Sequence, residues 1–197
     1  MILRFAMPPR NASSDRARAA AQPDDDRFFT CSDTWQAEAA AGRLLHNRPE
    51  QPATLRAIEQ FRAVLLDPLE RKFGRALLTC GFAGPEMVRA VRSRATREGR
   101  LPNIHPPGDQ HAGHELGPRG GRICKRDGIA ADLLVPDVTT SAIVDWARKN
   151  LPFDRIYFYG DARPFHLSWA PEPVGRVFEM VELATGRLLP RVVARGE

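Results

Sequence analysis

The sequence predicts an α+β fold, an antiparallel sheet with helices packed on one face. Three observations carry that expectation. Helical spacing of apolar residues dominates the first half of the chain, whereas short apolar runs dominate from Ile129 onward. Turn signals such as GDAR and ATG separate the later runs and read as reversals between neighbouring strands. With 197 residues and 43% hydrophobic content, the chain can bury a real core as a single domain.

The elements follow in order. Residues 1–26 are rich in Ala, Arg, Asp, Pro and Ser, have almost nothing to bury, and are expected to form a disordered tail. A single domain is expected over 27–197. Ser32 is a plausible N-cap for a short helix over Asp33 to Ala41, stopped by Gly42. Thr54 can cap a longer helix, in which Leu55, Ile58, Phe61, Leu65 and Leu69 recur at three- or four-residue steps. Pro68 lies inside that pattern and should kink or end the helix near Asp67. Ala76 to Cys80 reads as a buried strand, and Pro85 to Arg94 as a helix with proline in its first turn.

From Glu98 to Asp127 the chain is full of Gly, Pro and His, and a loop of that length in a small domain is usually functional or mobile. Ile129 to Val135 is the next strand. Thr139 or Thr140 caps a helix carrying Ile143, Val144, Ala147 and Leu151. Arg155 to Tyr159 and Pro164 to Trp169 are strands. VFEMVEL and RLLPRVV form a hairpin at the sheet edge, where Pro190 is tolerated.

Composition excludes several classes of function. No apolar run approaches the roughly 20 residues that span a bilayer, and the N-terminus lacks the h-region of a signal peptide, so a cytoplasmic protein without a membrane partner is expected. Three widely spaced cysteines argue against disulfides, as a reducing compartment would have it. Net charge is +5, but the arginines are scattered among acids without aromatic interleaving, which argues against a nucleic-acid surface.

Several residues could carry chemistry. Asp109 to Leu116 reads DQHAGHEL and places His111 and His114 near Glu115, with His105 a little upstream. Imidazole and carboxylate are good zinc ligands, although loop histidines often only bond to backbone. Asp132 enters an apolar strand after G-I-A-A, where a carboxylate is costly unless paired or coordinated. Strand alternation puts Phe165, Leu167 and Trp169 on one face and His166 and Ser168 on the other, so His166 could be a ligand or an acid–base group. Cys124, beside Lys125 and Arg126, is a candidate nucleophile or soft ligand.

In their order along the chain, FTCSDTWQAEAAAGRLLHNRPE, VLLDPLERKFGRALLTCGF, GIAADLLV and FDRIYFYGDARPFHLSW resemble the zinc D-alanyl-D-alanine carboxypeptidase family. That family shares its fold with the hedgehog signalling domain, so the resemblance implies a hedgehog/DD-peptidase-like architecture from about Arg27 to Trp169. It also implies a zinc-dependent amide or peptide hydrolase whose metal is held by His, Asp and His. Asp132 matches the aspartate ligand, after Gly128 and Ala130, and His166 matches the last histidine. The first histidine falls at Lys125, which cannot ligate zinc while charged. An insertion could bring His111 or His114 into that position, and Q-H-A-G resembles the start of the family motif, which favours His111. Cys124 could instead supply a thiolate.

The family's catalytic glutamate and its carboxylate-anchoring arginine fall at Arg163 and Ala83. Glu115 or Asp161 would then have to act as the base. Lys125, Arg126, Arg163, Cys124 and Ser168 would line a site for a small peptide or other anionic ligand. The alternative is a repurposed, inactive module of the same fold, with a Lys125–Asp132 pair replacing the metal and the cleft binding an anionic ligand or protein partner.

Overall fold

The computed structural model of the protein describes residues 24–29, 45–99, 106–183 and 188–195. The helix expected over Asp33 to Ala41, His105, the ATG turn and most of the expected tail lie outside these residues. Asp24–Phe29 forms a 3-10 turn. It presents Phe28 edge-on to Phe61, with ring centroids 5.1 Å apart.

Helix α1 spans Pro52–Phe61 and runs through a π-helical turn, Arg62–Leu66, into α2, Asp67–Phe73. Pro68 does not end the helix, but the helix is irregular just before it, near Asp67, where the sequence predicts a kink or an end. Its ring would crowd the carbonyl four residues back, and it has no N–H to donate. The preceding turn widens to i→i+5 bonding, with Asp67 N donating to Arg62 O, and the helix passes through. Ile58, Phe61, Leu65 and Leu69 form the buried stripe, whereas Leu55, expected on it, is 45% exposed. Truncating a fully buried side chain such as Phe61 to alanine costs roughly 3–5 kcal/mol.

Strand β1 is Leu77–Cys80, and α3 is Pro85–Arg97. The long loop holds one helical turn, Pro106–Asp109, and a small hairpin closed by a Leu116–Arg122 bridge. Then follow β2 Ile129–Leu134, α4 Thr140–Asn150, β3 Arg155–Phe158, β4 Phe165–Trp169, β5 Arg176–Glu182 and β6 Leu188–Arg195. The strands form one six-stranded sheet in the order β1-β2-β4-β3-β5-β6.

The architecture is α+β, but the sheet is mixed and not antiparallel: β3 and β5 run parallel. The reason is topological. Strand β4 is occupied by β2 on one side and β3 on the other, so β5 reverses after β4 and pairs on the far side of β3. Two reversals leave β5 parallel to β3. Pro190 sits on β6, the sheet's outer strand, opposite Met180.

Alternation along the strands separates two faces. Ile129, Ala131 and Leu133 of β2, Ile156 of β3, and Phe165 and Leu167 of β4 enter the main core with residues of α1, α2 and α4. Asp132, His166, Ser168 and Tyr157 belong to the opposite face. Helix α3 packs beside the end of β1, where Met87, Val88 and Val91 join Cys80 and Ala83 in a smaller cluster. No helix among the described residues is long and apolar enough to cross a membrane.

Candidate metal centre

Sheet register assembles most of the site. Cys80 on β1 lies opposite Asp132 on β2, Asp132 opposite His166 on β4, and His166 opposite Tyr157 on β3. A bulge in β1 between Leu78 and Cys80 sets the first of these pairs. Without that extra residue Thr79 would face Asp132, so the bulge re-aims the strand end. Gly128 lets β2 start beside β4, since a Cβ there would stand 1.8 Å from Trp169 O.

His111 arrives from the long loop. Gln110, just before it, has φ +64°, an uncommon conformation for a residue with a side chain. The Asp109 carboxylate accepts a bond from His111 N at 3.3 Å, and Ala83 N donates to His111 O at 2.9 Å. The ring is fixed as well: Nδ1 donates to Gly81 O at 2.7 Å. Only glycine fits at position 81, because a Cβ would stand 2.4 Å from Phe28 O.

These constraints converge on one oxygen. Asp132 Oδ1 lies 3.0 Å from His166 Nδ1 and 3.3 Å from His111 Nε2. The two imidazoles meet edge to face, with centroids 5.0 Å apart, and Tyr157 stands edge-on to His166 at 5.1 Å. Cys80 Sγ, a His111 ring nitrogen and an Asp132 oxygen all lie within 4.8 Å of one another.

A carbonyl can only accept, so the Gly81 bond keeps a proton on His111 Nδ1. In neutral His111, Nε2 then turns a lone pair toward a carboxylate oxygen, which is repulsive. Two states relieve this: a second proton on Nε2, or a cation between the two atoms. Without a metal the first holds. Burial opposes charge on His111, but Asp132 and Asp109 outweigh it and raise the pKa to about 10. Burial likewise opposes charge on Asp132, but His111 and His166 hold its carboxyl well below the usual range. Burial together with Asp132 and Asp109 pushes the Tyr159 hydroxyl up. His166 is 3% exposed, and its Nε2 has no hydrogen-bond partner among the described residues.

The other sequence candidates stand elsewhere. His114 turns to Asp127 (3.9 Å) and accepts a long bond from Gly128 N (3.4 Å); burial and Arg122 lower its pKa. Glu115 is fully buried and accepts from Glu50 N, Gln51 N and Thr54 Oγ1, at 3.2, 3.1 and 2.8 Å, at the start of α1. Thr54 therefore does not cap α1 with its own side chain; Glu115 closes that end from 61 residues away. Asp161 accepts from Ser141 N at 2.7 Å and serves the same purpose at the start of α4. Neither carboxylate is held at the cluster as a base.

Lys125 is exposed and makes no buried pair with Asp132, whose partners are the two histidines. Arg126 donates to Gly108 O in the loop. Arg163 is half-buried, and its carbonyl receives Thr140 Oγ1 at 2.9 Å. Ser168 Oγ is tied to β3, accepting from Arg155 N at 3.1 Å. Cys124 is buried, but the thiol near His111 and Asp132 belongs to Cys80. Sequence reasoning missed Cys80; the signal was a cysteine at the C-terminal end of a strand, followed by glycine. Set against family models, curated proteins and solved structures, the chain matches none.

Proposed function

We propose that this chain is a zinc-dependent hydrolase of amide bonds, with His111, Asp132 and His166 as metal ligands. One observation carries the reading: the Gly81 carbonyl fixes His111 so that Nε2 faces the same Asp132 oxygen that His166 Nδ1 approaches. Two imidazoles and a carboxylate are a donor set that suits zinc and leaves a position open. The resemblance of GIAADLLV and of the strand bearing His166 to the D-alanyl-D-alanine carboxypeptidase family supports the same assignment, and with it a hedgehog/DD-peptidase-like fold.

When bound, zinc supplies Lewis-acid polarisation of a carbonyl and lowers the pKa of water. The chain's own residues do the rest. Gly81 O holds the outer nitrogen of His111, as an orienting partner of a metal-bound histidine does. Asp132 offsets part of the cation's charge.

A second reading rests on a different observation. Glu115 and Asp161 are both engaged at helix N-termini, which favours a module that keeps the cluster but not the chemistry. The His111–Asp132–His166 cluster would then be a structural ion pair, and the module would bind an anionic ligand or a protein partner.

Elemental mass spectrometry on protein purified without chelator separates the two. About one zinc per chain, lost in Asp132→Ala, supports the hydrolase, and peptide-amide turnover that follows zinc content completes it. Zinc-free protein that stays so after incubation with zinc overturns it in favour of the binding module.

A further inference from the structure

We propose that Cys80 is a thiolate ligand of the same cation, beside His111 and Asp132. The proposal rests on the metal reading above and deepens it. Its basis is geometric. Cys80, His111 and Asp132 each offer a ligating atom, and the three atoms lie within 4.8 Å of one another. The β1 bulge places Cys80 opposite Asp132. The next residue supplies the carbonyl that fixes His111, so one turn delivers both a ligand and the orienting partner of another.

The thiol is 1% exposed and donates to Gly81 O at 3.6 Å. The His166 ring stands edge-to-face with His111, and its buried Nε2 has no hydrogen-bond partner among the described residues.

The chemistry balances simply. The Cys80 thiol loses its proton to solvent as the sulfur–metal bond forms, and no electrons are exchanged. A thiolate selects zinc over magnesium or calcium. Cys80, His111 and Asp132 would supply three of the four positions of a tetrahedral set.

Cobalt(II) substitution tests this without recourse to activity. Cobalt-loaded wild-type protein should show a thiolate-to-cobalt charge-transfer band in the near ultraviolet. Cys80→Ser should lose the band yet keep about one cobalt per chain, and Cys124→Ser should keep both. Zinc affinity should fall roughly tenfold or more in Cys80→Ser, at least what even an outer partner of a ligand commands. Cys80→Ala repeats the test if the serine variant does not fold, with near-ultraviolet circular dichroism as the fold check. Cobalt bound with no such band, and with identical wild-type and Cys80→Ser spectra, would overturn the thiolate and leave the metal site standing. No cobalt bound by any of the three proteins would overturn both.

Discussion

The two ends of the segment His111–Glu115 serve opposite parts of the molecule. His111 is drawn to the sheet by Gly81 and Ala83 and faces Asp132. Glu115, four residues on, turns away and closes the N-terminus of α1. The backbone turn between them, with Gly113 N bonded to Gln110 O and Glu115 N to Ala112 O, points successive polar side chains in different directions. A cluster of ligand-type residues in sequence is therefore not a cluster in space. Only His111, the member held by Gly81 and Ala83, reaches the candidate site.

The sharpest way to break this comparison is at its structural end. Glu115→Ala leaves two backbone N–H groups and the Thr54 hydroxyl without their buried acceptor. Unmet donors of that kind cost about 1–3 kcal/mol each, so we expect a loss of roughly 3 kcal/mol or more in chemical denaturation. Zinc content of the refolded variant should match wild type. A folded Glu115→Ala protein that loses its metal would make the segment a single unit and dissolve the contrast.

His111→Ala should do the reverse. Zinc should be lost, while the chelated protein should lose only about 2–3 kcal/mol, because Asp132 keeps His166 as a partner. The readouts are metal stoichiometry and denaturation with and without chelator. Retention of zinc by this variant would remove His111 from the ligand set.

Much of the fold was legible because strand and helix periods are local. The starts of β2, β3 and α4 fall within a residue or so of where apolar spacing and caps put them. Asp132 stood out as a carboxylate in an apolar strand and His166 by strand alternation, and the register places the two opposite each other. What was not legible depends on segments far apart in sequence. The parallel pairing of β3 with β5 follows from sheet order, which no local pattern carries. Glu115 resembles a catalytic carboxylate in sequence and becomes a helix cap only when residues 50–54 come alongside. Cys80 joins His111 and Asp132 through a bulge, which is a property of two strands and not of one.

The acid–base state of the cluster sharpens the contrast further. In chelated protein, folding raises the His111 pKa from 6.5 to about 10. That group's contribution to stability is fully present below pH 6.5 and is lost as the pH rises through about 10. Asp132 is shifted down by the same contact, so its share is present above pH 3.8 and lost as the pH falls further. Denaturation of chelated protein should therefore show the highest stability between about pH 4 and 6.5, falling toward pH 10. Zinc competes with the proton on His111 Nε2, so zinc affinity should rise across that alkaline window while the loaded protein stays flat. A chelated protein whose stability does not change from pH 6.5 to 10 would mean that His111 is not an imidazolium paired with Asp132.

The smallest effect belongs to His114, and its smallness is informative. It shares residue type, loop and neighbourhood with His111, but no second segment fixes its ring. Its bond from Gly128 N is 3.4 Å, its approach to Asp127 is 3.9 Å, and Arg122 already holds that carboxylate at 2.6 Å. Because Arg122 and burial lower its pKa, His114 is neutral at pH 7 and brings no charge that the loop depends on. His114→Ala should therefore keep its zinc and cost less than about 1 kcal/mol, the net worth of one weak hydrogen bond. Metal analysis and denaturation on this variant, run beside His111→Ala, decide whether it is the residue type or the anchoring segment that makes a ligand. Equal loss of zinc in both would mean that the loop re-forms around the metal and that His114 swings in with it.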